Sequence, residues 1–211
     1  MITIILTCTV NVKPNIAFVY QYDRKDRIET YLCSIRQWLN KTNFHIIVVE
    51  NSGYAFNELD KEKENFKDRF ELIVFEQDEL IEAKYLENTP SKGRCEIFAI
   101  NYAFNNSIKI HSSNFIIKIT GRFFIPELDE YLLNHNMNNY DCLTQTNRDR
   151  CEMVGSHYKN FFDIFYMHLN SNHIEDEWKK RTEKYNSILI CKPFKINETQ
   201  RGGINQTYLD I

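Results

Sequence analysis

The sequence predicts an α/β fold, a mixed and mainly parallel central sheet flanked by helices, from three observations. Short β-branched runs alternate with helical periodicities along most of its 211 residues. The runs are continuously apolar, as in strands covered on both faces. They end in small and polar residues, and an open α/β sheet binds its ligands just outside the carboxyl ends of its strands.

The first run, Ile2 to Leu6, leads into Thr7, Cys8, Thr9, Val10 and Asn11. The stretch Ile2 to Val12 is short, interrupted by Thr and Asn, and has no basic leader, which fits a first core strand rather than a signal peptide. From Arg24 to Leu39 the residues Ile28, Tyr31, Leu32, Ile35, Trp38 and Leu39 recur at three and four, so this is an amphipathic helix. It returns the chain to a second strand, Phe44 to Glu50, and strand, helix, strand in that order implies a parallel crossover. Glu50, Asn51, Ser52 and Gly53 form a second polar strand end.

Asn57 to Arg69 reads as a charge-rich, solvated helix, Phe70 to Phe75 as a third strand, and Glu76 to Pro90 as helix fragments and loop. Ser91 caps the next helix, opened by Lys92-Gly93-Arg94. Two cations and a Gly at a helix N-terminus suit a phosphate, because free N–H groups and the helix dipole add to the side-chain charge; an ordinary solvated helix start is the alternative. Phe115 to Ile119 is the central strand, and Thr120, Gly121 and Arg122 form its lip. A short helix from Glu127 to Leu133 and a strand from Tyr140 to Thr146 follow, the latter ending in the charge-dense loop Asn147 to Glu152. Val154 to Leu169 is ambiguous between strand and helix, with its aromatics assigned to the core ahead of a stacking surface. Glu175 to Lys184 is helical, Ile188 to Cys191 is a last strand, and the tail Thr199 to Tyr208 is either a frayed end or a flap over a phosphate.

Composition bounds the function. With 43% hydrophobic and 14% aromatic residues the chain suits a single domain over residues 1–211. A formal charge of −3 gives no overall basic surface, so no nucleic-acid partner is expected. No segment is long enough to span a membrane. Cysteines at positions 8, 33, 95, 142, 151 and 191 lack C-x-x-C pairing and a nearby His ligand, signalling neither a zinc site nor a disulfide framework. Buried free thiols in a reducing, cytoplasmic compartment are expected. His45, His111, His135, His157, His168 and His173 share no pattern, and nothing in the sequence reports an oligomeric state.

Four segments carry a resemblance: I-L-T-C-T-V-N after the first strand, V-V-E-N-S-G after the second, S-K-G-R-C-E at the middle helix and I-I-K-I-T-G-R-F on the central strand, with R-G-G-I-N as a weaker echo. In order and spacing they resemble a small GT-A (Rossmann-like) glycosyltransferase of bacterial or large-virus polysaccharide assembly. The resemblance implies a nucleotide-diphosphate sugar as donor and a glycan or glycoconjugate hydroxyl as acceptor. It places the nucleotide over Thr7, Thr9, Asn11, Glu50 and Asn51, where a carboxylate accepts from a ribose hydroxyl or base N–H. The family's Asp-x-Asp, which holds Mn²⁺ or Mg²⁺ on the diphosphate, is missing, so no motif supports a metal. Lys118-Ile119-Thr120-Gly121-Arg122 stands in its place. Lys92, Arg94, Lys118, Arg122 and Arg201, with Thr120, Gly121 and Gly202, are then the candidates for stabilising the leaving diphosphate. Asp149 and Glu152 are the candidate bases for the acceptor proton. Two alternatives stay open: a non-catalytic glycan-binding or scaffold domain of the same fold, and, ranked lower because T-C-T-V-N-V-K-P-N has no Gly, a nucleotidyltransferase.

Overall fold

A computed structural model of the chain describes residues 1–146, 151–169, 173–202 and 205–211. In chain order its strands and α-helices are β1 (Ile2–Cys8), α1 (Arg24–Lys41), β2 (His45–Glu50), α2 (Asp60–Asn65), β3 (Phe70–Val74), α3 (Lys92–Asn106) and β4 (Phe115–Thr120). There follow α4 (Leu128–Leu133), β5 (Cys142–Gln145), β6 (Met153–His157), α5 (Phe161–Ile164), α6 (Ile174–Thr182), β7 (Ile188–Cys191), β8 (Lys195–Gln200) and β9 (Thr207–Asp210). Short 3₁₀ turns fill the segment between β3 and α3.

Seven strands form one sheet in the order β3-β2-β1-β4-β6-β5-β7. The neighbours β1 and β2, β1 and β4, β2 and β3, and β5 and β7 are parallel, while β6 runs antiparallel between β4 and β5. This is the mixed, mainly parallel α/β sheet expected, with β4 at its centre. Because side chains alternate along a strand, Phe115, Ile117 and Ile119 of β4 enter one apolar core with α1 and α4, and Ile116 enters the other with α3, α5 and α6. Burying such β-branched rows on both faces is worth about 25 cal/mol per Å² of apolar surface, the main term holding the layers together.

Local chemistry sets the boundaries. The Asp23 carboxylate caps α1 by accepting from the Asp26 amide at 2.9 Å. Ser91 caps α3 through the Arg94 amide at 3.3 Å. Trp38 is fully buried, and its indole N–H donates to the Phe123 carbonyl at 2.8 Å, locking α1 to the segment after β4.

Two regions depart from the sequence reading. The ambiguous stretch Val154 to Leu169 is β6 followed by a helical turn, with Phe161 stacked on Phe104 at 3.9 Å and Phe165 buried. The described part of the tail is not a frayed end. β8 and β9 pair as an antiparallel hairpin, and Phe194 and Ile211 exchange backbone hydrogen bonds of 2.7 and 3.0 Å. Tyr208 lies 6.2 Å from Phe123, joining the α1-side core. The sequence hides this because a single residue in each strand, Ile196 in β8 and Tyr208 in β9, is buried among polar neighbours.

All six cysteines are free, with Cys8, Cys142, Cys151 and Cys191 buried. Among the described residues, no helix is long and apolar enough to cross a membrane.

Candidate functional site

The carboxyl ends of β1, β2 and β4 open onto one rim. On its β1 and β2 side, the Thr9 hydroxyl donates to Asn51 Oδ1 at 2.6 Å, and Asn51 Nδ2 donates to Gln77 Oε1 at 3.1 Å. Asn11 donates to the Ser52 carbonyl at 2.9 Å and accepts from Arg24 Nε at 2.8 Å, leaving an exposed polar corner beside the Tyr54 ring.

Glu50 departs from its expected role as a ligand contact. It is 0% exposed, and its oxygens accept from the amides of Val10 (2.9 Å), Ser52 (3.0 Å) and Tyr54 (2.8 Å) and from the Ser52 hydroxyl. A carboxylate so saturated has its charge spread over backbone N–H groups, so it shapes the loop beneath the rim. Arg27, which the sequence reading did not select, is its cationic counterpart. It is 4% exposed and donates to the Thr9 carbonyl from Nε at 2.8 Å and to the Gln21 carbonyl at 2.9 Å. Its signal was an Arg on the buried stripe of α1, four residues before Tyr31.

Lys118 is likewise displaced from its expected role. At 1% exposure it points between the sheet and α3, where Nζ meets Glu96 Oε1 at 2.8 Å, the Cys151 carbonyl at 2.8 Å and the Trp178 ring at 5.1 Å. Glu96 also accepts from the Thr7 hydroxyl at 2.8 Å. Thr7, Glu96 and Lys118 therefore form a buried strut tying β1, α3 and β4, with Thr120 joined at 3.3 Å. Period two explains it: Lys118 shares a face with Ile116.

The remaining cations gather at the lip. Lys92, an exposed residue, donates from Nζ to the Phe18 carbonyl at 2.6 Å. Two residues on, the Tyr20 amide donates to the Gly202 carbonyl at 3.3 Å. Gly202 lies flat on Arg122, since a Cβ there would stand 2.5 Å from Nη2. Arg122 and Arg201 sit over the rings of Phe123 and Tyr208 at 5.9 and 4.9 Å, and those two rings are stacked neighbours. Although the residue as a whole is exposed, partial enclosure pushes the Lys92 ammonium pKa down, Arg122 pushes it further, Glu96 and Glu175 oppose this, and Arg201 adds a smaller push. The Arg122 and Arg201 charges are therefore close enough to be felt at the Lys92 ammonium. Among the described residues, the buried Arg122 Nε has no hydrogen-bond partner.

Gly121 binds β4 to β1: its amide donates to the Thr7 carbonyl at 2.9 Å, and a Cβ would meet Cys8 Sγ at 2.5 Å. The Arg94 amide donates to the Ser91 cap, and the Arg94 charge is close enough to be felt at the Tyr85 hydroxyl. Glu152 stands beside the lip, its carbonyl accepting from the Thr120 amide at 2.9 Å. Its Oε2 is buried without a hydrogen-bond partner among the described residues. Asp149 lies outside the described residues.

The rim thus brings together Thr7, Thr9, Asn11, Asn51, Lys92, Thr120, Gly121, Arg122, Glu152, Arg201 and Gly202, with Glu50 and Lys118 beneath it. Among the described residues no group of three or more His, Cys, Asp or Glu side chains gathers to hold a metal ion, and beside the lip Glu152 offers a single carboxylate. The lip's own groups are a hydroxyl, a glycine and a guanidinium, and the nearby Glu96 carboxylate is held by Lys118. A cleft of about 390 Å³ at the opposite end of the sheet, among Met1, Phe44, Asn114, Asp129, His135 and Asn138, is lined by no Lys or Arg and offers nothing to a diphosphate.

No family model and no curated protein matches the sequence. Solved structures do match the fold. A protein described as a nucleotide-diphospho-sugar transferase, from Desulfovibrio desulfuricans G20, aligns with a TM-score of 0.52 and 16% identity over 90% of this chain and 79% of its own. An active-site mutant of LgtC aligns with a TM-score of 0.53 and 8% identity over 90% and 72%. A cytidylyltransferase from Leptospira borgpetersenii aligns with a TM-score of 0.49 and 14% identity over 99% and 81%. At these identities the first two show the fold alone, which is GT-A-like.

Proposed function

We propose that the chain, as one catalytic domain over residues 1–211, transfers a sugar from a nucleotide-diphosphate sugar to a hydroxyl of a glycan or glycoconjugate acceptor. The observation that carries this reading is the meeting of Lys92, Arg122 and Arg201 around Phe18, Tyr20 and Gly202 at the end of the central strand. Three cations from distant segments, one with an unpartnered buried N–H, match a multiply charged anion. The GT-A-like fold and the nucleotide-sugar activity in the name of one structural neighbour support the same substrate class.

In this reading the nucleoside lies along Thr9, Asn11 and Asn51, whose short polar side chains admit a ring closely. The acceptor oxygen attacks the sugar's anomeric carbon, the bond from that carbon to the diphosphate breaks, and the electron pair leaves with the diphosphate. Arg122 donates bidentately to the diphosphate oxygens, and Lys92 and Arg201 supply charge. Glu152 takes the acceptor proton through its unpartnered oxygen.

Thermal-shift titration with UDP, GDP, CMP and dTDP sugars, followed by transfer assays, tests the proposal. One donor class should raise the melting temperature. Arg122→Ala should keep the fold and lose about a hundredfold in turnover, the scale of removing one oriented donor to a developing anion. Full turnover in that variant removes the cationic mechanism. Glycan binding with no donor response would leave a binding module of the same fold.

A further inference from the structure

The segment between β1 and α1 crosses the lip as a strap. It is held by the Ala17 amide to the Pro90 carbonyl (3.1 Å), Lys92 Nζ to the Phe18 carbonyl (2.6 Å), the Tyr20 amide to the Gly202 carbonyl (3.3 Å) and Arg27 to the Gln21 carbonyl (2.9 Å). All four anchors use its backbone. Its side chains alternate: Val19 is buried and Gln21 half-buried, whereas Phe18, Tyr20 and Tyr22 are 73%, 50% and 58% exposed. None of these three side chains has a hydrogen-bond or ring partner among the described residues. Phe18 also holds φ at 55°, a left-handed conformation that bulky residues avoid.

Folding gains nothing from three unpartnered aromatic rings in water, one on a strained backbone. Strain and exposure kept together at a rim point to a ligand. The rings lie beside the cation cluster, since the same residues whose carbonyl and amide meet Lys92 and Gly202 bear the Phe18 and Tyr20 rings. The four-residue span from Phe18 to Tyr22 reaches at most about 14 Å, room for a short oligosaccharide.

Building on the function proposed above, we propose that Phe18, Tyr20 and Tyr22 form an acceptor platform. The apolar C–H faces of successive sugar rings stack on them, presenting the terminal hydroxyl to the donor at Arg122. The acceptor class is then an oligosaccharide rather than a monosaccharide or a flat aromatic alcohol. Sequence variation in the strap would tune which glycan is extended, because its anchors are backbone groups.

The test uses β-1,4-linked glucose and N-acetylglucosamine oligomers, from monosaccharide to hexasaccharide, as acceptors with the active donor. For the unaltered protein, the acceptor KM should fall with length and level off once the platform is covered. Each of Phe18→Ala, Tyr20→Ala and Tyr22→Ala should raise the KM of the long acceptor by about tenfold, the scale of losing one stacked ring. The monosaccharide KM should not move, and Tyr20→Phe should restore the long-acceptor value, since the ring rather than the hydroxyl is used. A triple alanine variant with an unaltered length dependence overturns the platform. So does loss, in that variant, of binding to phosphatidylglycerol vesicles with oligosaccharide kinetics intact, which would assign the rings to a membrane surface. Should no donor be turned over at all, the catalytic reading fails separately. The platform then stands or falls on whether the oligomers shift the amide resonances of Val19 to Asp23 in the unaltered protein and not in the triple variant.

Discussion

Removing the Glu96 carboxylate isolates the buried charge on Lys118. In Glu96→Ala the ammonium keeps the Cys151 carbonyl at 2.8 Å and the Thr120 hydroxyl at 3.3 Å but loses its only counter-ion among the described residues. Stranding a buried charge costs about 3–5 kcal/mol. Glu96 is 22% exposed and water can enter its place, so the lower end, about 3 kcal/mol, is expected. For a chain of this size 1 kcal/mol moves the midpoint by about 2–4 °C, giving a fall of about 6–12 °C. Lys118→Met removes the more deeply buried charge and leaves a flexible apolar chain. The Glu96 carboxylate it leaves behind is 22% exposed, keeps the Thr7 hydroxyl at 2.8 Å and is open to water, so the cost should be only about 1–2 kcal/mol, mainly for the stranded Cys151 carbonyl. The double variant should recover part of the Glu96→Ala loss. Differential scanning calorimetry and urea titration measure all three. If Lys118→Met is the more damaging substitution, or if Glu96→Ala leaves the midpoint unmoved, the strut does not exist as described. If Lys118→Met folds normally yet no longer binds nucleotide, Lys118 returns to the ligand contacts.

Three further outcomes follow from the same coordinates. Gly121→Ala places a methyl 2.8 Å from the Thr7 carbonyl oxygen and should lose about 1–3 kcal/mol of stability, whereas Gly202→Ala meets only the movable end of Arg122 and should weaken nucleotide binding without unfolding; paired melting and binding curves separate the two. Burial, reinforced by neighbouring cations, depresses the pKa of His45 and His157 below the ordinary 6.5, so the unfolded chain binds more protons. Their stability contribution is then complete above about pH 6.5 and is lost as pH falls below it; melting temperatures from pH 7.5 to 6 should decline, and His45→Gln with His157→Gln should flatten that decline. Burial pushes the Cys191 thiol up to about 12 and the Cys8 and Cys151 thiols well above their usual range, while Cys33 is exposed. Iodoacetamide at pH 8 should therefore label Cys33 first by peptide mass spectrometry, and early labelling of Cys8 would contradict the packing.

The strands and the larger helices were legible because continuous apolar runs and a three-to-four periodicity report local burial directly. The polar strand ends at Thr7, Thr9, Asn51 and Thr120 were legible for the same reason, since composition changes where a sheet stops. The roles of charged residues were not. Lys118 sits in an apolar run, and nothing nearby in sequence reveals that its carboxylate is on the helix before it. Glu50 reads in sequence as a carboxylate at a polar strand end, but the Val10, Ser52 and Tyr54 amides converge on it only in three dimensions. The C-terminal hairpin escaped notice because Ile196 and Tyr208 bury alone among polar neighbours. The strap was invisible too, its anchors being carbonyls and amides that every residue possesses.

The lip is stitched from positions 18–20, 92, 122 and 201–202, where the Lys92 and Arg122 side chains and the Tyr20 amide meet backbone groups far away in sequence. Contacts of such separation are the slowest to form, and synthesis delivers the Arg201 segment after the other three. A nascent or nicked polypeptide lacking that segment would carry a nearly complete sheet with an unassembled lip. Under the proposed function, competence would depend on the last of these segments reaching the other three.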